Sequence, residues 1–340
     1  VILKLPPSVR VPAPADPVLP PPPDEPGPAS ADGDLRVVPA SLAQKPLDAV
    51  VRALFALSWN DARGRIRSGK IAVNGATRTE PLFRAREGAE IAMRMRAPRP
   101  RVDPLESSAI VHLDAQVIIV NKPAGVSTVA FEEGETGTLD DRVRFWLSRN
   151  APHARAGPRP ALGVVHRLDK ETSGLLVFTR TWLAKKSLSS QFRAHTVERC
   201  YVAIVHGHLE SRTFRSRFVE NRGDGLRGSH KGGGRPQEGQ VAITHVEALE
   251  HLPRATLVAC RLETGRTHQI RIHLSEAGHP VVGERVYVRG YDAPLIPAPR
   301  LMLHARELGF VHPKASEPVR WEREPPEDFE ATLSRVRRET

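Results

Sequence analysis

The sequence predicts an α+β fold: a large mixed, mainly antiparallel sheet with flanking helices, preceded by a small helix-helix-hairpin domain. Three observations carry that prediction. From residue 108 to about 322, apolar runs alternate with turn signals: "AIVHL", "VIIVNKPAG", "LGVVH", "GLLVFTR", "CYVAIVHG", "VAITHVEAL", "ATLVACRL" and "LMLHARELGF". Most are rich in Val and Ile and too short for globular helices, so they read as strands. Ahead of them, Leu47, Val50, Val51, Leu54 and Leu57 share one helical face. Finally, 11 of the 31 prolines crowd the first 30 residues, in a stretch with no periodicity and few large apolar side chains.

Taken in order, residues 1–36 are expected to be a disordered Pro-rich arm, because such a composition cannot bury enough surface to offset ordering. A first helix follows over the apolar face at 47–57. Ser58, with Asp61 three positions on, has the spacing of a helix cap, and the helix it opens carries Arg63, Arg65 and Arg67, with Lys70 just past Gly69. Asn74-Gly75 then signals a tight hairpin. Residues 41–97 make up this first domain. Between 41 and 100, 12 Lys and Arg face 5 Asp and Glu, so much of the chain's excess charge sits on a short helix beside a hairpin. A solvated basic face would account for a charge run of this kind, but its concentration favours an RNA-binding surface.

"RAPRPRVDP" reads as a linker, placed at 98–107, and the second domain is expected over 108–325, with 326–340 as a tail. Within it two helices stand out. "TLDDRVRFWLSRN" has Thr138 as a cap, and "THQIRIHLSEAG" places Ile270, His273, Leu274 and Ala277 on one face before Gly278 and Pro280 stop it. The stretch 221–239, "NRGDGLRGSHKGGGRPQEG", is a glycine-rich basic loop.

The net charge of +11 and the pI near 10.2 call for a polyanionic partner, since neutralising phosphates releases counterions. Nucleic acid is the first candidate and an anionic membrane the second. No stretch approaches 18 consecutive apolar residues, and prolines break the opening segment, so a cytoplasmic, soluble protein without a membrane span is expected. Cys200 and Cys260 each stand alone in a strand-like run and read as buried reduced thiols. Gly223, Gly225 and Gly228 match G-x-G-x-x-G, but "KGGGRPQEG" follows where the phosphate would need a helix N-terminus, which argues against a dinucleotide site. His268 and His273, five apart, point to different sides of a helix, and no clustered ligands accompany them, so no metal site is expected.

One acidic residue stands out. Asp169, in "HRLDKETSGLLVFTR", sits in a polar loop between two apolar strands, where it either caps a turn or does chemistry. Local features leave both readings open. "HRLDKETSGLL" is, however, similar to the signature of the RluA-type pseudouridine synthases, and "VNKPAGVST", "ERCYVAIVHG", "LETGRTHQIRIHL", "GHPVVGERVY" and "LHARELGFVHP" follow the same family's order around it. The first domain resembles the αL RNA-binding module through "SWNDARGRIRSGKIAVNGATRTEPLFRAREGAEI".

The resemblance implies the pseudouridine synthase fold and the isomerisation of uridine in structured RNA, ribosomal RNA ahead of transfer RNA, by a monomer that needs no cofactor. Asp169 becomes the catalytic carboxylate, either attacking the glycosidic carbon or removing a ribose proton. Arg271 becomes its guanidinium partner, orienting it and favouring its charged form. Tyr201 would stack on the detached uracil. Arg167 would brace the gap left by an extruded nucleotide. Arg266, His268 and Lys122 would contact phosphate or shape the cleft, His166 would be structural, and Arg63, Arg65, Arg67 and Lys70 would bind RNA. The family usually has Lys where this chain has Arg199. Two other readings stand beside it: a catalytically inactive RNA-binding assembly factor, and a hydrolase using the same carboxylate to release free base.

Overall fold

The computed structural model describes residues 34–79, 81–98, 104–131, 135–150, 161–229 and 239–339. The Pro-rich arm up to residue 33, the linker at 99–103 and positions 230–238 of the basic loop lie outside the described residues.

In the first domain, Leu47, Val50 and Val51 form the buried face of α1 (Leu47–Phe55), and Ala62 and Ile66 that of α2 (Trp59–Arg67). Each large apolar side chain removed from water contributes about 1.5–3 kcal/mol. Ser58 starts α2 as its spacing predicts: Oγ accepts from the Asp61 N–H at 3.1 Å and donates to Oδ2 of Asp61 at 2.7 Å. The helices pack on four strands, β1 (Asp34–Val37), β2 (Ile71–Val73), β3 (Ala76–Thr77) and β4 (Glu90–Met93), in the order β1-β4-β2-β3. Asn74-Gly75 turns β2 into β3, and the Asn74 side chain accepts from the Glu90 N–H at 2.8 Å. Asp34 to Arg36, expected in the disordered arm, instead belong to β1, which pairs antiparallel with β4. Main-chain pairing orders this strand although all four of its side chains are exposed, which no apolar pattern could announce.

The second domain is built on eleven strands among the described residues: β5 (Ile110–Leu113), β6 (Val117–Lys122), β7 (Gly163–Val164), β8 (Ser173–Thr179), β9 (Glu198–His206), β10 (Arg212–Val219), β11 (Gly228–Ser229), β12 (Gln240–His251), β13 (Ala255–Leu262), β14 (Leu303–Val311) and β15 (Pro318–Glu322). The main path runs β11-β10-β12-β13-β9-β14-β8-β6-β5, with β15 on β14 and β7 on β8. Among described residues the β14–β8 contact is parallel and every other pair antiparallel, the mixed sheet that the sequence predicts. Around it lie α3 (Leu139–Asn150), α4 (Trp182–Arg193), α5 (Gln269–Glu276) and α6 (Glu327–Arg338). No helix among the described residues is long and apolar enough to cross a membrane.

Residues 326–340, expected to be a tail, instead supply α6. Phe329, Leu333 and Val336 repeat at helical spacing and join the main core, while Arg300 grips Asp328 through Nε at 2.5 Å and a terminal nitrogen at 2.7 Å. Leu105, inside the expected linker, is also buried in that core. Cys200 and Cys260 are buried free thiols.

Candidate active site

The loop joining β7 to β8 carries Asp169, and three neighbours hold it. Thr128 donates through Oγ1 to the Leu168 carbonyl at 2.9 Å and accepts the Leu168 N–H at 3.1 Å. The Gly125 N–H reaches the Lys170 carbonyl at 2.8 Å. Lys122, completely buried, spends its three ammonium protons on the carbonyls of Pro123, Val126 and Lys170 at 2.9, 2.8 and 3.0 Å. Its expected contact with RNA is therefore corrected: Lys122 has no path to solvent, and it braces the Asp169 loop from below. Burial pushes this ammonium down to about 7, against the pull of Asp169 and Glu171.

The end of the loop is fixed equally tightly. The Asp169 carbonyl, and not its carboxylate, closes the turn by accepting the Thr172 N–H at 3.1 Å. Ser173 Oγ meets Nδ1 of His304 at 2.9 Å. At Gly174, φ is +114° and a Cβ would lie 2.2 Å from the Ala305 carbonyl oxygen, so only glycine lets β8 approach β14 here. The carboxylate itself is left facing a cleft of about 1880 Å³, larger than the usual small-ligand pocket.

Across that cleft, α5 delivers the partner. His268 precedes α5 in the left-handed region, at φ 57°. Gln269 then locks the helix start: its carbonyl oxygen accepts from Thr264 Oγ1 at 2.7 Å and the Arg266 N–H at 3.0 Å, and its amide donates to the Ile243 carbonyl and Thr244 Oγ1 at 2.9 Å each. Arg271, two residues on and buried, directs a terminal nitrogen to Oδ2 of Asp169 at 3.4 Å. The rest of its guanidinium belongs to Glu284, through Nε and the second terminal nitrogen at 2.7 Å each. Glu284 also accepts the N–H groups of Arg285, Val286 and Tyr287 at 2.9, 2.8 and 3.3 Å. Burial disfavours both charges, yet the pair outweighs it: Arg271 is held above its ordinary value and Glu284 below.

His268 lies on the other side of the carboxylate, its Nε2 3.9 Å from Oδ1 of Asp169 and its Nδ1 2.8 Å from the Tyr287 hydroxyl. Burial lowers its affinity for a proton, with Asp169 opposing. It therefore sits beside the carboxylate on the cleft wall. Tyr201, from β9, lines the same cleft, and burial pushes its phenol up to about 12, so it enters as a hydrogen-bond donor. Arg199 takes the position of the family's usual Lys and turns back into the protein, donating to the Leu262 and Glu263 carbonyls at 3.4 and 3.2 Å. Arg167 is exposed on the cleft wall. Arg266 lines it too, with Nε tied to the Val241 carbonyl at 3.0 Å. His166 stacks on Phe192 and accepts the Val177 N–H at 3.1 Å.

Of the basic residues on the first domain, Arg63 and Arg67 reach the outer cleft, Arg63 also pairing with Asp48 at 2.8 Å. Arg65 and Lys70 are half-buried and engage their own domain, through the Met93 sulfur at 2.8 Å and the Ala97 carbonyl respectively. Sequence reasoning missed Glu284, Gln269, Thr128 and Tyr287. Each lies in or beside a segment that stood out, but what each one holds depends on chain segments distant in sequence.

Residues 116–276 match the RNA pseudouridylate synthase family, and residues 45–91 match the S4 domain. A protein of Xanthomonas campestris named ribosomal large subunit pseudouridine synthase D is 34% identical over 327 residues, covering 91% of this chain and 95% of the relative. The chain belongs to the RNA pseudouridylate synthase family. A second synthase D, from Pseudomonas aeruginosa, is 32% identical, with 89% of this chain and 95% of the relative covered. The solved structure titled human RNA pseudouridylate synthase domain containing 1 aligns with a TM-score of 0.53 at 26% identity, covering 72% of this chain and 98% of that one. That titled domain containing 4 gives 0.55 at 25%, covering 68% and 94%. Within this pseudouridylate synthase, the motif that carries Asp169 and the segment that carries Arg271 both fall inside the matched region.

Proposed function

We propose that this synthase converts uridine to pseudouridine in ribosomal RNA of the large subunit, the target class that its relatives' names carry, with Asp169 as the group that opens the reaction. The observation that carries this reading is a cleft-facing carboxylate held at 3.4 Å by a buried arginine whose remaining nitrogens are already committed. The reaction breaks the bond from ribose C1′ to N1 of uracil and joins C1′ to C5; C5 gives up its proton and N1 takes one up. Atoms are conserved and no electrons are gained or lost.

Each residue has a part. Asp169, ionised, either bonds to C1′ as uracil departs or takes the 2′ proton so that uracil leaves by elimination; both routes start from the same charged oxygen. Arg271 keeps that oxygen aimed, and its fixed charge needs no reorganisation during the reaction. Tyr201 stacks on the freed base while it turns. Arg167 braces the RNA where the uridine has been extruded, because a stacked base is out of reach of the carboxylate. The first domain adds affinity through backbone phosphates.

The test is Asp169→Asn. RNA binding should stay within about twofold, while tritium release from RNA labelled at uridine C5 should fall by about a thousandfold or more, the scale on which removing a nucleophile acts. Turnover by the variant near the parent rate would refute the assignment, and free uracil among the parent's products would replace isomerisation with hydrolysis.

A further inference from the structure

The glycine-rich basic stretch beginning at residue 221 has no part in the chemistry above, yet its described portion is built to a fixed shape. Asn221 Oδ1 accepts the N–H groups of Gly223 and Gly225 at 2.9 and 3.0 Å. Arg222 is held between Asp224 at 3.0 Å and Glu276, at the end of α5, at 3.1 Å. Glu276 also accepts the Ser229 N–H at 2.9 Å, and Arg289 donates to the Asp224 carbonyl at 3.2 Å. Leu226 packs against the cluster of Phe218, Ile272 and Tyr287. At Gly228 a Cβ would lie 2.4 Å from the Arg222 side chain and 2.7 Å from Glu276, so a side chain there would push the Arg222–Glu276 pair aside. The hairpin is thus anchored to the helix that carries Arg271.

Between the Leu226 anchor and the Gly228 anchor stands Arg227, which lines the same cleft as Asp169, His268 and Arg271. Its charge is felt at both His268 and Tyr287. Its carboxylate partner is Glu220, at 3.1 Å, and Glu220 is 89% exposed, so the pair is weak and readily exchanged. A guanidinium held by its backbone on a cleft wall, with a displaceable solvent-facing partner, is suited to a ligand that carries its own anionic oxygens.

We infer that Arg227 binds a backbone phosphate of the RNA strand entering the cleft, with the phosphate displacing Glu220; this rests on the reading of the cleft as an RNA site. Arg227 is a binding residue on the α5 side, whereas Arg167 lies on the Asp169 loop opposite. The hairpin couples strand grip to the helix that positions Arg271, without either residue touching the other.

The experiment compares the full chain with R227A, R227K and E220Q, using a large-subunit ribosomal RNA fragment transcribed in vitro and labelled at uridine C5. R227A should weaken RNA binding and raise KM about fivefold to tenfold, leave kcat within about twofold, and lower the slope of log affinity against log salt by about 0.7–0.9, the loss of one phosphate contact. R227K should retain most of the affinity. E220Q should bind slightly tighter than the parent, with that gain absent when combined with R227A. Parent affinity and parent salt slope in R227A would overturn the inference. So would a fall in kcat at unchanged affinity, since Arg227 would then act through His268 or Tyr287. Binding is read apart from turnover, so a parent that grips this RNA but releases no tritium would count against isomerisation while the Arg227 comparison still stands.

Discussion

Glu284 offers the sharpest test of how the site is held, through Glu284→Gln. The substitution keeps size and shape. Its remaining oxygen would take the place of Oε1, where the donors are Arg271 at 2.7 Å and the N–H groups of Arg285, Val286 and Tyr287. The new amide would then point N–H groups at the Arg271 Nε–H, now 2.7 Å from Oε2. One charge-assisted hydrogen bond becomes a donor against a donor, a loss of about 1.5–3 kcal/mol. Arg271 is left buried with Asp169, at 3.4 Å, as its remaining counter-charge. Breaking a buried pair outright costs about 3–5 kcal/mol, and the amide preserves part of it, so a stability loss of about 2–4 kcal/mol is expected. If about 2 kcal/mol of that is orientation realised in the transition state, kcat falls about thirtyfold at 1.36 kcal/mol per decade. KM should move less than twofold, since Glu284 is fully buried and meets no RNA. The assay is tritium release at saturating RNA, with binding followed separately. Phe329→Ala, in the core and away from the cleft and expected to cost about 3–5 kcal/mol, serves as a control at least as destabilised. Parent kcat in Glu284→Gln, or an equal loss of kcat in the control, would refute the positioning argument.

Two further expectations follow from the buried polar groups. Lys122→Met strips the donor from three carbonyls, among them that of Lys170 next to Asp169; turnover should fall at least about tenfold and the amides of 169–172 should exchange faster with solvent, and unchanged exchange there would remove Lys122 from its bracing role. His166, His273 and His304 are held neutral by burial, pushed down to about 3, 4 and 4. Because each folded value lies below the unfolded 6.5, the unfolded chain takes up protons first: stability is complete above about pH 6.5 and is lost as pH falls toward 4, by about 2 kcal/mol per imidazole at pH 5. The urea midpoint should drop between pH 7.5 and pH 5, and drop less in His304→Gln, whose amide can replace the bonds to Ser173 and the Arg323 carbonyl; a midpoint that does not move would rule out neutral burial.

Much of this protein is legible in one dimension, because period and turn chemistry are local. Short Val and Ile runs announce β6, β8, β9, β12, β13 and β14; Ser58 and Asn74-Gly75 mark where α2 starts and where β2 turns back; and "HRLDKETSG" singles out Asp169. The failures share a cause. β1 and β10 are ordered by pairing with a neighbouring strand, and an exposed or mixed strand leaves no hydrophobic signature. The α6 pattern is present in the sequence, but two prolines and a chain end made it look like a tail until the core supplied a surface for Phe329 and Val336. Lys122 reads as a charge available to RNA, since nothing local reveals that three carbonyls from two loops close around it. The residue types at the candidate site were therefore set by sequence. Which charges face the cleft and which are spent inside the protein was decided only when Asp169, Arg271 and Glu284, far apart along the chain, met at one point, because the strength of a buried charge depends on what surrounds it in three dimensions.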